Sequence, residues 1–207
     1  MKFGIFIYPG VEPIDLATFG VLSMARRIAP EIDVTTIAPQ AGPVALASGL
    51  VVHAAHGIDD APTVDWLIVT GGPGWVAQSS DERTLRYLRT FAAGPGKLAS
   101  VCTGAMILAA AGVLDGRDAT TKCEVVPPEV APLSVMRERH PTVRVHEASI
   151  VDTGGIVTGG GVALCIDTML HILARVLGPA VASETARIME YERALAANAR
   201  EYPIFTG

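Results

Sequence analysis

Short apolar runs alternate with longer stretches of helical spacing along the whole chain. "KFGIFIY" (Lys2–Tyr8) is β-rich and closes on Pro9-Gly10, which predicts a first strand and a turn. From Ile14 to Ile28, Leu16, Phe19, Val21, Leu22 and Met24 recur at helical spacing and predict a helix. "IDVTTIAP" (Ile32–Pro39) predicts a second strand. "GPVALASGLVV" (Gly42–Val52) predicts a short hairpin turning at Ser48-Gly49. "DWLIVTGGPG" (Asp65–Gly74) is a buried strand running into a glycine-rich loop. Asp81 to Ala93 is amphipathic, with Asp81 as its N-cap and Gly94-Pro95 as its stop.

"KLASV", from Lys97, predicts another buried strand, and Gly104 to Ala111 a helix of small residues. A turn and a short strand follow over Asp115–Thr121, then a proline-rich loop entering a helix by Arg139. "TVRVHEASIVDTGGIVTGGG" alternates apolar and polar residues around Gly154-Gly155 and predicts a hairpin. Val162 to Leu177 predicts a long helix stopped by Gly178-Pro179, and Ala180 to about Ala197 a single final helix with a short tail. Strand–helix alternation of this kind predicts an α/β fold, a mostly parallel sheet with helices on both faces. With no linker or internal repeat, residues 1–207 are expected to form one domain.

Composition changes this picture only at the margins. Half of the 207 residues are hydrophobic, and the 21 Gly and 14 Pro are scattered as turns rather than clustered as in disordered segments. The net charge of −5 comes without any Lys/Arg-rich run, which argues against a nucleic-acid partner. The apolar runs fall short of the roughly 20 residues that span a bilayer, and the N-terminus lacks a cleavage signal, so a cytoplasmic location away from the membrane is expected. Three widely spaced cysteines, Cys102, Cys123 and Cys165, give neither a disulfide framework nor a CxxC motif.

The candidate chemistry lies at predicted strand ends, where open α/β sheets bind ligands. Cys102 falls between the "KLASV" strand and the following helix, the position of a nucleophile elbow, where helix amides favour a thiolate. Core packing accounts for Cys102 equally well on local grounds; Cys123 and Cys165 read as packing residues. Gly71 and Gly72 of the "GGPG" loop can bring backbone N–H groups to a small anion or oxyanion, though turns use such glycines routinely. Asp15 reads either as a helix cap or, if it points at Cys102, as an acid–base group. None of the five histidines neighbours Cys102 in sequence, and Thr103, which follows it, is no base at neutral pH. No metal-ligand spacing appears, and no metal or cofactor is expected.

Taken together, "IFIYPGVEPIDLA", "LIVTGGPG", "LASVCTGAMILAAAGVLDGRDATT" and "IVTGGGVALCIDTMLHIL" resemble the DJ-1/PfpI superfamily over nearly the whole chain, and its isonitrile hydratase-like branch most of all. The domains of AraC-type regulators are similar in the same Cys-Thr-Gly elbow, but there a helix-turn-helix region follows, for which a chain ending at Gly207 leaves no room. The resemblance implies a flavodoxin-like three-layer sandwich, a homodimer, a nucleophilic Cys102, an acid at Asp15 close to its sulfur, Thr103 beside it, and Gly71 and Gly72 at the pocket. It implies hydration of a small isocyanide to an N-substituted formamide, with a glyoxalase- or amidase-type activity or a non-enzymatic small-molecule or redox sensor as alternatives. Thr103 stands where protease-like members carry His, so peptidase activity is not expected. The chain departs from the branch's patterns at Leu16-Ala17-Thr18-Phe19, at Lys122-Cys123 and at Leu164-Cys165, segments that border the pocket in the family.

Overall fold

The computed structural model describes residues 1–207. The chain runs from β1 (Lys2–Phe6) through a tight turn (Pro13–Leu16) into α1 (Ala17–Ala25) and β2 (Asp33–Ala38). β3 (Gly42–Ala45) and β4 (Val51–Ala54) form the expected hairpin, followed by β5 (His56–Gly57) and β6 (Trp66–Val69). Next come α2 (Trp75–Gln78), α3 (Glu82–Ala92), β7 (Lys97–Ser100), α4 (Gly104–Ala110), β8 (Asp118–Ala119), α5 (Pro132–Arg139) and β9 (Arg144–Val145). The last part holds β10 (Ile150–Asp152), β11 (Ile156–Gly159), α6 (Cys165–Leu177), α7 (Pro179–Ile188), α8 (Glu192–Glu201) and β12 (Ile204–Thr206).

Eight strands form one sheet in the order β12-β10-β11-β7-β6-β1-β2-β5, parallel throughout except where β10 meets β11. Its central strands bury residues of both faces, as sheets covered on both sides do: all four of Trp66–Val69 are buried, and Phe3, Ile5 and Phe6 are inaccessible to solvent. Each such side chain stabilises the fold by roughly 1.5–3 kcal/mol. α1, α6 and α7 pack on one another in one helical layer, and α2, α3, α4 and α5 form the other around α4. The architecture is the flavodoxin-like three-layer sandwich expected from the sequence. No helix is long and apolar enough to cross a membrane.

Asp81 caps α3 as its position predicts, accepting the Arg83 N–H. The structure corrects three boundaries. The single final helix is two, α7 and α8, because Glu190 adopts φ 56° and breaks the run. No Gly or Pro marks the break; a tertiary contact does, since the Tyr191 hydroxyl donates to Asp167 Oδ2 at 2.8 Å. The tail is an edge strand, β12, paired in parallel with β10. The helix expected from Val162 starts at Cys165, because Gly160–Leu164 form a loop beside Cys102.

Strand order settles what register and hydropathy leave open. β7, β6 and β1 are neighbours, so the segments after Ser100, Val69 and Phe6 leave the same edge of the sheet side by side, and β11 adds a fourth.

Candidate active site

Cys102 occupies a sharp turn between β7 and α4 with φ 52°, a left-handed conformation that costs a non-glycine residue about 1–2 kcal/mol. Long-range bonds hold it there. Its N–H donates to Gly160 O at 3.0 Å, and its carbonyl accepts the Thr121 hydroxyl at 2.8 Å. The turn fits against β6 only because two neighbours lack side chains. A Cβ on Gly104 would lie 2.1 Å from Val69 O, and one on Gly71 would lie 2.3 Å from Thr103 N and 2.8 Å from Cys102 Cβ.

Asp15 is completely buried, in the turn before α1. The capping alternative fails: the Thr18 hydroxyl binds its backbone oxygen, while its carboxylate leaves the helix and accepts the Gly71 N–H at 2.6 Å. Gly71 thus has Asp15 on its amide and Cys102 against its Cα. Burial raises Asp15 to about 7 against the Gly71 hydrogen bond, and the Glu12 charge adds to the rise. Asp15 Oδ1 has no hydrogen-bond partner, the Cys102 thiol included.

The glycine amides are not open to an oxyanion as the sequence suggested. The Gly71 N–H is taken by Asp15, and the Gly72 N–H donates to Thr103 Oγ1 at 2.8 Å. The two glycines hold the acid and the threonine in place. Nor is a thiolate favoured at rest. Burial and then the Asp15 charge push Cys102 up to about 12, over the opposing pull of the Thr103 N–H and the Lys122 ammonium. α4 is short and its first turn is buried, and burial is the largest cause of the rise at Cys102.

Three further residues belong to this site, and sequence reasoning passed over each. Tyr8, fully buried two residues past β1, donates its hydroxyl to Thr70 O at 3.0 Å beside Thr103; burial, then the Asp15 and Cys102 charges, keep it neutral. Cys165, read as a packing residue, faces the same charges: burial raises it, and Asp15 and Cys102 raise it further. Lys122 stands over Gly161, where a Cβ would lie 2.9 Å from Lys122 Cβ and 3.0 Å from Cys102 Sγ. Lys122 and Cys165 each carried a signal, as changes in motifs that border the pocket, and that signal did not say which way the side chains pointed.

A cavity of about 410 Å³ opens over Cys102, with Gly72, Thr103, Trp75, Lys122, Glu12 and Val162 in its wall. Asp15 lies behind that wall. No histidine lines it: His146 pairs with Asp118 and His171 with Asp152, at 2.6 and 2.7 Å. A second cavity, of about 420 Å³ among α6, α7 and α8, contains Leu170, Ala182 and Leu195 and no cysteine. No group of three or more His, Cys, Asp or Glu is placed to hold a metal ion. The arrangement offers a buried thiol, a carboxyl that titrates near neutrality and space for a small molecule on the thiol.

Known proteins resemble this chain along most of its length. The profile of the DJ-1/PfpI family matches residues 1–175. Isonitrile hydratase of Pseudomonas putida is 29% identical over 194 residues, 92% of this chain and 78% of that one. The HTH-type transcriptional regulator GbdR of Pseudomonas aeruginosa is 33% identical over 146 residues; these are 70% of this chain and 37% of the regulator, so the chain spans well under half of that relative. A ThiJ/PfpI family protein of Pseudomonas syringae superposes with a TM-score of 0.79 at 25% identity, covering 92% of this chain and 75% of that structure.

Proposed function

Since the chain belongs to the DJ-1/PfpI family, we propose that it is a water-adding enzyme of the isonitrile hydratase type, converting a small isocyanide into an N-substituted formamide. The observation that carries this reading is the pair held across Gly71: a cysteine on an elbow and a buried carboxyl with one oxygen free, without histidine. The 29% identity to an isonitrile hydratase adds support.

In this reading Asp15 takes the Cys102 proton as the sulfur attacks the terminal carbon of R–N≡C. Neutralising Asp15 removes a charge that holds the thiol up, so proton transfer itself activates the nucleophile. Asp15 returns the proton to that carbon, giving the thioimidate R–N=CH–S–Cys102. Water adds to the same carbon, one of its protons going to nitrogen and the other to the departing sulfur, and R–NH–CHO leaves. A carboxyl titrating near 7 serves both transfers at neutral pH. The Thr103 N–H, directed at Cys102, favours sulfur when it carries charge. A homodimer in the cytoplasm is part of the same reading.

The test is formamide release from a panel of isocyanides by the purified protein. Turnover retained in Cys102→Ala overturns the nucleophile, and no turnover across the panel overturns the substrate class. A second reading, a small-molecule sensor, draws on the regulator relative and on a thiol held protonated at rest. It requires saturable binding in the Cys102 cavity with no turnover of isocyanides, glyoxals or amides.

A further inference from the structure

The charges lining the Cys102 cavity are not spent on one another. The Lys122 ammonium reaches the backbone oxygen of Glu124 and pairs with no carboxylate, although Glu12 and Glu129 line the same cavity. Neither glutamate carboxylate has a hydrogen-bonded or ionic partner; Glu12 is half-buried and Glu129 lies at the exposed rim. Between these charges the wall is apolar, with Trp75, Val130 and Val162. Charges that are not paired with one another stay available to a ligand of complementary charge.

From this we infer that the cavity selects a small amphoteric molecule, one whose carboxylate meets Lys122 and whose ammonium or other donor group meets Glu12. An apolar neutral ligand leaves both kinds of charge unmet. A simple anion satisfies Lys122 and is opposed by two glutamates. A zwitterion satisfies both and adds no net charge to a cavity that already carries a net negative one. A space of about 410 Å³ holds a molecule the size of an acylated amino acid. The Lys122 stem lies over Gly161 beside the Cys102 sulfur, and its ammonium charge acts on that sulfur.

The inference uses the hydration reading only to choose formamides as probes, and calorimetric binding tests it without turnover. Three formamides differ in charge: ε-formyl-lysine is a zwitterion, N-formylglycine an anion and N-cyclohexylformamide neutral. The zwitterion is expected to bind about tenfold more tightly than either of the others, and Lys122→Met and Glu12→Gln are each expected to reduce that preference to about twofold or less. Equal binding of the three, or a preference that survives in both variants, overturns the inference. Formamide release from the isocyanide analogue of ε-formyl-lysine, with cyclohexyl isocyanide beside it, is followed in parallel and tests the reaction alone, turnover counting as absent only when neither isocyanide reacts. Absent turnover with an intact preference removes the hydration reading and keeps the substrate class; turnover without preference does the reverse.

Discussion

Gly71 donates its backbone N–H to Asp15 Oδ2 at 2.6 Å, and its missing side chain lets Cys102 and Thr103 close against its other side. One residue without a Cβ therefore sets the spacing between the acid and the sulfur.

Replacing Gly71 should be disproportionately damaging. In Gly71→Ala the new methyl meets backbone, Thr103 N at 2.3 Å, which cannot swing aside as a flexible side chain would. A loss of about 2–4 kcal/mol in unfolding free energy is expected, together with loss of turnover. Denaturant titration checks the first, and a stability within about 0.5 kcal/mol of the parent would contradict the close packing.

Asp15→Asn keeps an acceptor for the Gly71 N–H and removes the charge. The Cys102 thiol should titrate at lower pH, because the Asp15 charge is the second cause of its rise. Turnover should nonetheless fall by about 10²–10⁴-fold, the usual contribution of a positioned acid–base group. Thiolate absorbance against pH and isocyanide kinetics read the two effects separately.

Asp15 also makes stability pH-dependent, with a definite sign. Its folded pKa, about 7, lies above the unfolded value of 3.8. Between those values the folded state binds the extra proton, so stability is greatest below about pH 4 from this group and falls as pH rises towards 7, then levels off. The loss is of order 4 kcal/mol. Asp15→Asn should flatten this part of the Tm–pH curve and raise Tm above pH 7; an unchanged slope would mean that Asp15 is not buried as described.

Tyr191→Phe serves as a contrast. It removes the hydroxyl that donates to the mostly buried Asp167 at the break between α7 and α8. A cost of about 1–2 kcal/mol is expected, with the alkylation rate of Cys102 unchanged.

The layers of the fold were legible because hydropathy period and turn residues are local signals. Pro9-Gly10, Gly94-Pro95 and Gly178-Pro179 each end the element they were expected to end. The break at Glu190 was not, since a hydrogen bond to Asp167, more than 20 residues away in sequence, replaces the usual glycine. The same distinction runs through the site. Cys102 could be read from its strand–helix setting. What Gly71 and Gly72 bind could not, because their amides are claimed by Asp15 and Thr103, residues 56 and 31 positions away. Tyr8 and Cys165 lie in segments that carry the resemblance, but nothing local gave either a role; the strand order and the docking of α6 bring their charges to bear on the site.

The elbow at Cys102 is held by the Gly160 carbonyl, 58 positions further along, and by the Thr121 hydroxyl, 19 positions along. The Gly160 bond needs β11 docked on β7, a parallel pairing that closes a long loop, and the Thr121 bond needs the segment after β8 in place. The reactive geometry is therefore a product of the tertiary fold rather than a property of the local peptide. Heat or denaturant should raise the rate of Cys102 alkylation at the same midpoint at which the sheet is lost, because unfolding exposes the thiol and returns it towards its ordinary pKa.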